Sequence, residues 1–155
     1  MNSEIRKGIK ADIPQVLNLV KELAAFEKAP NEVEVTIDEM NEWGFGNDKQ
    51  FDFYVAIENS TIIGIALYYF KYSTWKGKCL FLEDIIVTET HRGKGLGKLL
   101  FDKVVQVAKQ EKVRRMEWQV LDWNIPAIEF YKKYHTNLDG EWINCKLTDH
   151  QLVNM

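Results

Sequence analysis

Cys79-Leu80-Phe81-Leu82-Glu83-Asp84-Ile85-Ile86-Val87-Thr88, followed after three residues by Arg92-Gly93-Lys94-Gly95-Leu96-Gly97-Lys98, is the stretch on which the fold turns. Its first part is apolar at nearly every position except the adjacent pair Glu83 and Asp84, the pattern of a strand covered on both faces. Its second part alternates glycine with other residues among three cations. Leu96, Leu99, Leu100, Val104, Val107 and Ala108 then recur at helical spacing, which predicts an amphipathic helix ending near Lys112. Another strand is expected over 115–121. Strand, helix and strand in that order form a right-handed crossover, with the two strands parallel.

Working outward from that unit, strands over 51–58 and 61–72 are joined tightly through Asn59-Ser60 and predict a hairpin. Ahead of them come a strand over 5–9 and a helix opened by Asp12 with Pro14 in its first turn. Val16, Leu17, Val20, Leu23 and Ala24 form that helix's buried stripe. Thr36 with Glu39 reads as a capping box for a shorter helix that stops before Gly44-Phe45-Gly46. Downstream, Asn124 caps a helix running through Tyr134, and 141–147 reads as a last strand. Early hairpins and one late crossover imply an α/β (α+β) chain built on a mixed sheet. No repeat or linker divides it, so residues 1–155 are expected to form a single domain.

Composition narrows the function. With 155 residues and 46% apolar content, a core forms without staples. Cys79 and Cys145 are too few for a disulfide framework and lack metal-ligand spacing, so ordinary buried thiols in a reducing compartment are expected, with no metal. A net charge of −3 with interspersed signs argues against a nucleic-acid partner. No apolar run approaches the length needed to span a membrane, and a soluble, cytoplasmic protein is the expectation.

The glycine segment sits between a strand and a helix, where free backbone N–H groups and the helix dipole favour an anion. Glycine permits close approach, and Arg92, Lys94 and Lys98 add positive charge. A dinucleotide fold wants a third glycine where Lys98 stands. A Walker loop wants Ser or Thr where Leu99 stands. Arg-x-x-Gly-x-Gly, here Arg92, Gly95 and Gly97, resembles instead the pyrophosphate loop of GNAT-superfamily acetyltransferases. Tyr68-Tyr69-Phe70, Ser73-Thr74-Trp75-Lys76-Gly77, Leu82-Glu83-Asp84, Val87, Asp122-Trp123-Asn124 and Phe130-Tyr131 are similar, in order and spacing, to the spermidine/spermine (diamine) and thialysine N-acetyltransferase branch. The match at 73–77 leans toward the thialysine type.

The resemblance implies a mostly antiparallel central sheet with a splayed parallel strand pair and helices on both faces. It further implies acetyl-coenzyme A as donor. Backbone groups of Ile85, Ile86 and Val87 would bond the pantetheine arm, and the splay would leave an N–H for the oxyanion. Gly93, Lys94, Gly95, Leu96, Gly97 and Lys98, with Arg92, would hold the pyrophosphate. Asn124, Ala127 and Tyr131 match further coenzyme A contacts, and Tyr131 is placed as the general acid that protonates the departing thiolate. An amine with a pKa of about 10 must lose a proton before it attacks, and Glu83 is the candidate base. Glu27, Glu83 and Asp84 with the face of Trp75 would suit a cationic acceptor. The expected partner is a small primary amine (polyamine, diamine or lysine-like), with a homodimer as the expected assembly. Acetylation of a protein or peptide amine, and a non-catalytic acyl-coenzyme A sensor, are the alternatives.

Overall fold

A computed structural model describes residues 2–155, which fall into two compact units, the first ending at Gln119 and the second spanning Val120–Met155. The first unit holds one five-stranded sheet in the order β1-β2-β3-β4-β5. Its strands are β1 (Ser3–Lys7), β2 (Asp52–Glu58), β3 (Thr61–Ser73), β4 (Gly77–Val87) and β5 (Arg115–Glu117). Neighbours pair antiparallel except β4 with β5, which run parallel. The β2–β3 turn is made by Asn59 and Ser60, both at positive φ (51° and 64°), the twist that a two-residue hairpin connection demands.

Helices cover both faces, as expected. Helix α1 (Ile13–Phe26) and α2 (Ile37–Phe45) pack Ile13, Val16, Leu17, Leu19 and Met40 against Phe53, Val55, Ile65, Leu67 and Ile86. On the other face, α3 (Leu96–Gln110) brings Leu100 against Gly64: a Cβ there would lie 3.0 Å from Leu100 Cδ1. Phe101, Leu100 and Val104 are among the fully buried side chains. Each such side chain contributes roughly 1.5–3 kcal/mol by leaving water. The stripe expected on α3 differs in one member: Leu99 is 51% exposed, and Phe101 is buried in its stead.

Local sequence signals explain most boundaries, with instructive exceptions. Thr36 Oγ1 accepts from Glu39 N at 3.1 Å and caps α2. Asp12 stands at the start of α1 but does not cap it. Its carboxylate takes two hydrogen bonds from Arg6, at 2.7 and 2.9 Å, and one from Ile9 N at 2.8 Å. Burial alone would raise its pKa, but these partners hold it below the ordinary carboxylate range.

The second unit contains α4 (Ile125–Lys132) and the short α5 (Asp149–Val153). Asn124 caps α4 by accepting from Ala127 N at 3.4 Å. The strand expected over 141–147 is not formed: residues 137–148 lie in neither helix nor strand, and every residue from 137 to 155 is exposed. Trp142 and Ile143 within it are 73% and 86% exposed. An extended segment becomes a strand only when a neighbour takes its backbone N–H and C=O groups, and among the described residues no ladder of the sheet includes this segment. Cys145 lies in it and is exposed, against the expectation of two buried thiols, whereas Cys79 is buried.

Candidate active site

β4 is the spine of the site, and its two edges differ. Toward β3 it is paired along its whole length, from Ser73↔Gly77 to Gly64↔Val87. Toward β5 it pairs only at Cys79↔Arg115, Leu80↔Met116 and Phe81↔Glu117. From residue 82 to 87 that second edge carries no strand pairing among the described residues, which is the splay anticipated for the parallel pair. The open stretch contains Ile85, Ile86 and Val87.

The β3–β4 ladder is irregular at the head of this stretch. Leu67 faces Asp84 and Tyr68 faces Leu82, so Glu83 has no opposite number: it is the extra residue of a β-bulge. Strict alternation would put adjacent residues on opposite faces of the sheet. The bulge keeps both acids on the face of α1. Asp84 shares that face with Leu67, and Glu83 reaches the hydroxyl of Tyr69, which donates to Glu83 Oε2 at 3.0 Å. Glu27, immediately after α1, lies on the same side and adds its charge.

Crowding like charges has the electrostatic result expected of it. Burial, then the charges of Glu83 and Glu27, push the Asp84 carboxyl from 3.8 up to about 6. Burial, followed by the neighbouring Glu83 and Asp84, pushes the Tyr69 phenol up to about 12, so Tyr69 remains a donor to Glu83. Loss of surrounding water raises Glu27 as well. Glu83 is exposed whereas Asp84 is half-buried, so the expectation of two charges enclosed in a covered strand holds only for Asp84.

The glycine loop connects β4 to α3. Gly93 and Gly95 take φ of +78° and +82°, where an L side chain is strained, and a Cβ built on either would meet no heavy atom within 4 Å. Open space therefore lies over the loop. The first amide bonded within α3 is that of Leu99, to Gly95 O at 3.2 Å, and the N–H groups before it have no helical carbonyl to take. Such a cradle fits the pyrophosphate of coenzyme A. Lys94 and Lys98 are exposed beside it, with Lys98 Nζ 2.6 Å from Asp102. Leu96 is buried under the turn, and Gly97 approaches Val87.

Arg92 is placed otherwise than its sequence assignment suggests. Its Nε donates to Val87 O at 2.8 Å, its Nη2 lies 3.8 Å from Glu22, and its guanidinium stands 5.3 Å from the Phe26 ring centre. Trp75 is not brought to the acids. It sits 79% exposed at the β3–β4 turn, where its amide bonds Ser73 Oγ. The run of β4 from Gly77 to Glu83 separates the two by about 20 Å, at about 3.3 Å per residue. In the second unit, Tyr131 is buried at 6% exposure and packs edge-on to Phe130, with centroids 5.4 Å apart.

Two contributors had no role assigned from sequence: Tyr69 entered only within the run Tyr68-Tyr69-Phe70, and Glu22 belongs to no motif.

The Acetyltransferase (GNAT) family model matches residues 17–135. The chain is 34% identical over 139 residues to a thialysine N-epsilon-acetyltransferase of Mus musculus, covering 84% of this chain and 82% of that protein. It is also 34% identical over 135 residues to a human spermidine/spermine N(1)-acetyltransferase-like protein 1, covering 83% of this chain but 19% of that longer one. Among solved structures, an integron cassette protein from the mobile metagenome of V. cholerae superposes with a TM-score of 0.79 at 20% identity, over 99% of this chain and 97% of the other. With the family's model spanning most of its length, the chain belongs to the GNAT acetyltransferases and is an N-acetyltransferase.

Proposed function

We infer that this enzyme moves an acetyl group from acetyl-coenzyme A to the primary amine of a small molecule bearing a second positive charge, of the thialysine, lysine-like, diamine or polyamine type. The observation that carries the reading is the bulge at Glu83, which gathers Glu83, Asp84 and Glu27 on one face of β4 where the strand's other edge lies open. An anionic cluster of this kind suits a dication or a lysine-like zwitterion better than a neutral amine. The thialysine and spermidine/spermine relatives support the same class.

Acetyl-coenzyme A, when bound, supplies the acetyl group as a thioester. The open edge of β4 at Ile85, Ile86 and Val87 offers backbone groups to an extended arm, as one strand does to another. The amides from Gly93 through Lys98 receive the phosphates, joined by Lys94 and Lys98. Glu83, exposed and steadied by the Tyr69 hydroxyl, takes the proton from the incoming ammonium, directly or through water, so that the nitrogen lone pair is free. Asp84 and Glu27 hold the remote cation. Tyr131 would donate its phenolic proton to the departing sulfur and recover one from the attacking nitrogen, and Asn124 and Ala127, at the start of its helix, would be further cofactor contacts.

The deciding experiment measures acetyl-coenzyme A consumption with polyamines, diamines, lysine analogues and short peptides as acceptors. Small dicationic or zwitterionic amines should be acetylated fastest. Rapid turnover confined to peptides would move the enzyme to the protein-acetylating side of the family.

A further inference from the structure

The connection from β4 into the glycine loop is held by a carboxylate that the acetyl-transfer mechanism does not use. Glu22, on α1, accepts from Thr88 Oγ1 with both oxygens, at 2.9 and 3.1 Å, and from Glu89 N at 3.0 Å. Arg92 Nη2 stands 3.8 Å from the same carboxylate. Thr88 is fixed from the other side as well, its amide donating to Ile63 O of β3 at 2.8 Å. Arg92 Nε closes the circuit on Val87 O at 2.8 Å, and the Phe26 ring covers the guanidinium. The last residue of β4, the two residues after it and the first cation of the loop are thereby tied to one side chain that lies 66 residues earlier in the chain.

This arrangement is at odds with a simple anion site. A carboxylate near phosphates repels them, and removing it should strengthen cofactor binding if charge were its only effect. Its hydrogen bonds have the opposite consequence, because they fix loop geometry before the cofactor arrives. Arg92 turns its guanidinium toward Val87 O, Glu22 and the Phe26 ring.

We propose that Glu22 is a positioning residue for the coenzyme A loop, and that Arg92 acts through Glu22 and the Val87 carbonyl rather than as a phosphate ligand. What the loop binds rests on the acetyl-coenzyme A reading; the latch itself does not. Calorimetry with coenzyme A on Glu22→Ala, Arg92→Ala and the double variant tests it. Each single change should weaken binding by roughly tenfold, and the pair by no more than about twofold beyond the worse single, since both break one device. Glu22→Gln should fall between parent and Glu22→Ala, because its amide oxygen still accepts from Thr88 and Glu89 but no longer attracts Arg92. In turnover, the loss should lie in the Michaelis constant for acetyl-coenzyme A more than in kcat. Tighter binding in Glu22→Gln, or independent losses multiplying to about a hundredfold in the double variant, would overturn the proposal. Amide hydrogen exchange on the free protein reads the latch separately. Faster exchange over residues 88–97 in Glu22→Ala supports it, and unchanged exchange refutes it. A parent chain that fails to bind coenzyme A, with exchange rising as expected, would instead remove the donor assignment.

Discussion

Replacing Asp84 by asparagine should make the free enzyme more stable at neutral pH while making it a poorer binder of its amine. The Asp84 carboxyl ionises at about 6 in the folded chain, against 3.8 ordinarily, with burial as the first cause and the charges of Glu83 and Glu27 following. Between those two values the folded state keeps a proton that the unfolded state has already lost. Stability therefore falls as pH rises through that window, and the full cost is present above it. A displacement of about two units at about 1.4 kcal/mol each sets that cost near 3 kcal/mol. An asparagine side chain carries no charge, so urea unfolding of Asp84→Asn should show a gain approaching that figure at pH 7.5, a smaller gain at pH 5, and none below about pH 4. The parent's decline in stability between pH 4 and pH 7 should flatten in the variant. In parallel, affinity for a diamine should drop by roughly tenfold or more and affinity for a monoamine much less, because only the diamine presents a second cation. A variant that is less stable than the parent at pH 7.5, or that keeps the parent's pH slope, would refute the reasoning about like-charge crowding at the bulge.

Glu83→Gln keeps size and hydrogen bonding with Tyr69 but accepts no proton; kcat at pH 7 should fall well below the parent and recover in part as pH nears about 10, where free amine is plentiful, and parental kcat at pH 7 would remove Glu83 from the chemistry. Tyr131→Phe should lower turnover by roughly 10² with coenzyme A affinity and melting temperature close to parental, and a change within twofold would make Tyr131 a packing residue alone. Gly95→Val should weaken coenzyme A binding in calorimetry, because a β-branched residue cannot hold φ +82° without strain and projects into the space over the loop; unchanged affinity would move the phosphates elsewhere.

The strand–glycine–helix unit was legible because each part announces itself locally. A doubly apolar run predicts β4, and glycines at alternate positions predict the turn that Gly93 and Gly95 make at positive φ. Leucine and valine spacing predicts α3, although Phe101 and Leu99 exchange places because the helix's azimuth is decided by contact with Gly64 and its neighbours, which no local pattern encodes. The parallel pairing of β4 and β5 followed from connection rules, but β5 stops at Glu117, four residues before the end of its β-prone run at 121. A divergence between two strands is a property of the pair and leaves no mark on either sequence. The segment 141–147 failed for a related reason. Its propensity is real, and strand formation still depends on a partner's backbone. Trp75 had the right chemistry for a cation and the wrong address, since hairpin register alone sets its distance from Glu83.

The acid pair shows how local pattern and tertiary geometry combine to make function. Two adjacent acids in an apolar strand are visible in sequence, but alternation would have sent them to opposite sides of the sheet. One unpaired residue in the β3–β4 ladder reverses that outcome and places them together with Glu27. The free enzyme is then destabilised by the cluster, and the burden is relieved by whatever supplies positive charge there. A dicationic amine binding only the folded state adds RT ln(1 + [L]/Kd), about 2.7 kcal/mol at a hundredfold excess over Kd, which is of the same order as the cost at Asp84. Electrostatic strain at rest and the selectivity proposed for a doubly charged acceptor would thus share one origin, a single irregularity in one strand.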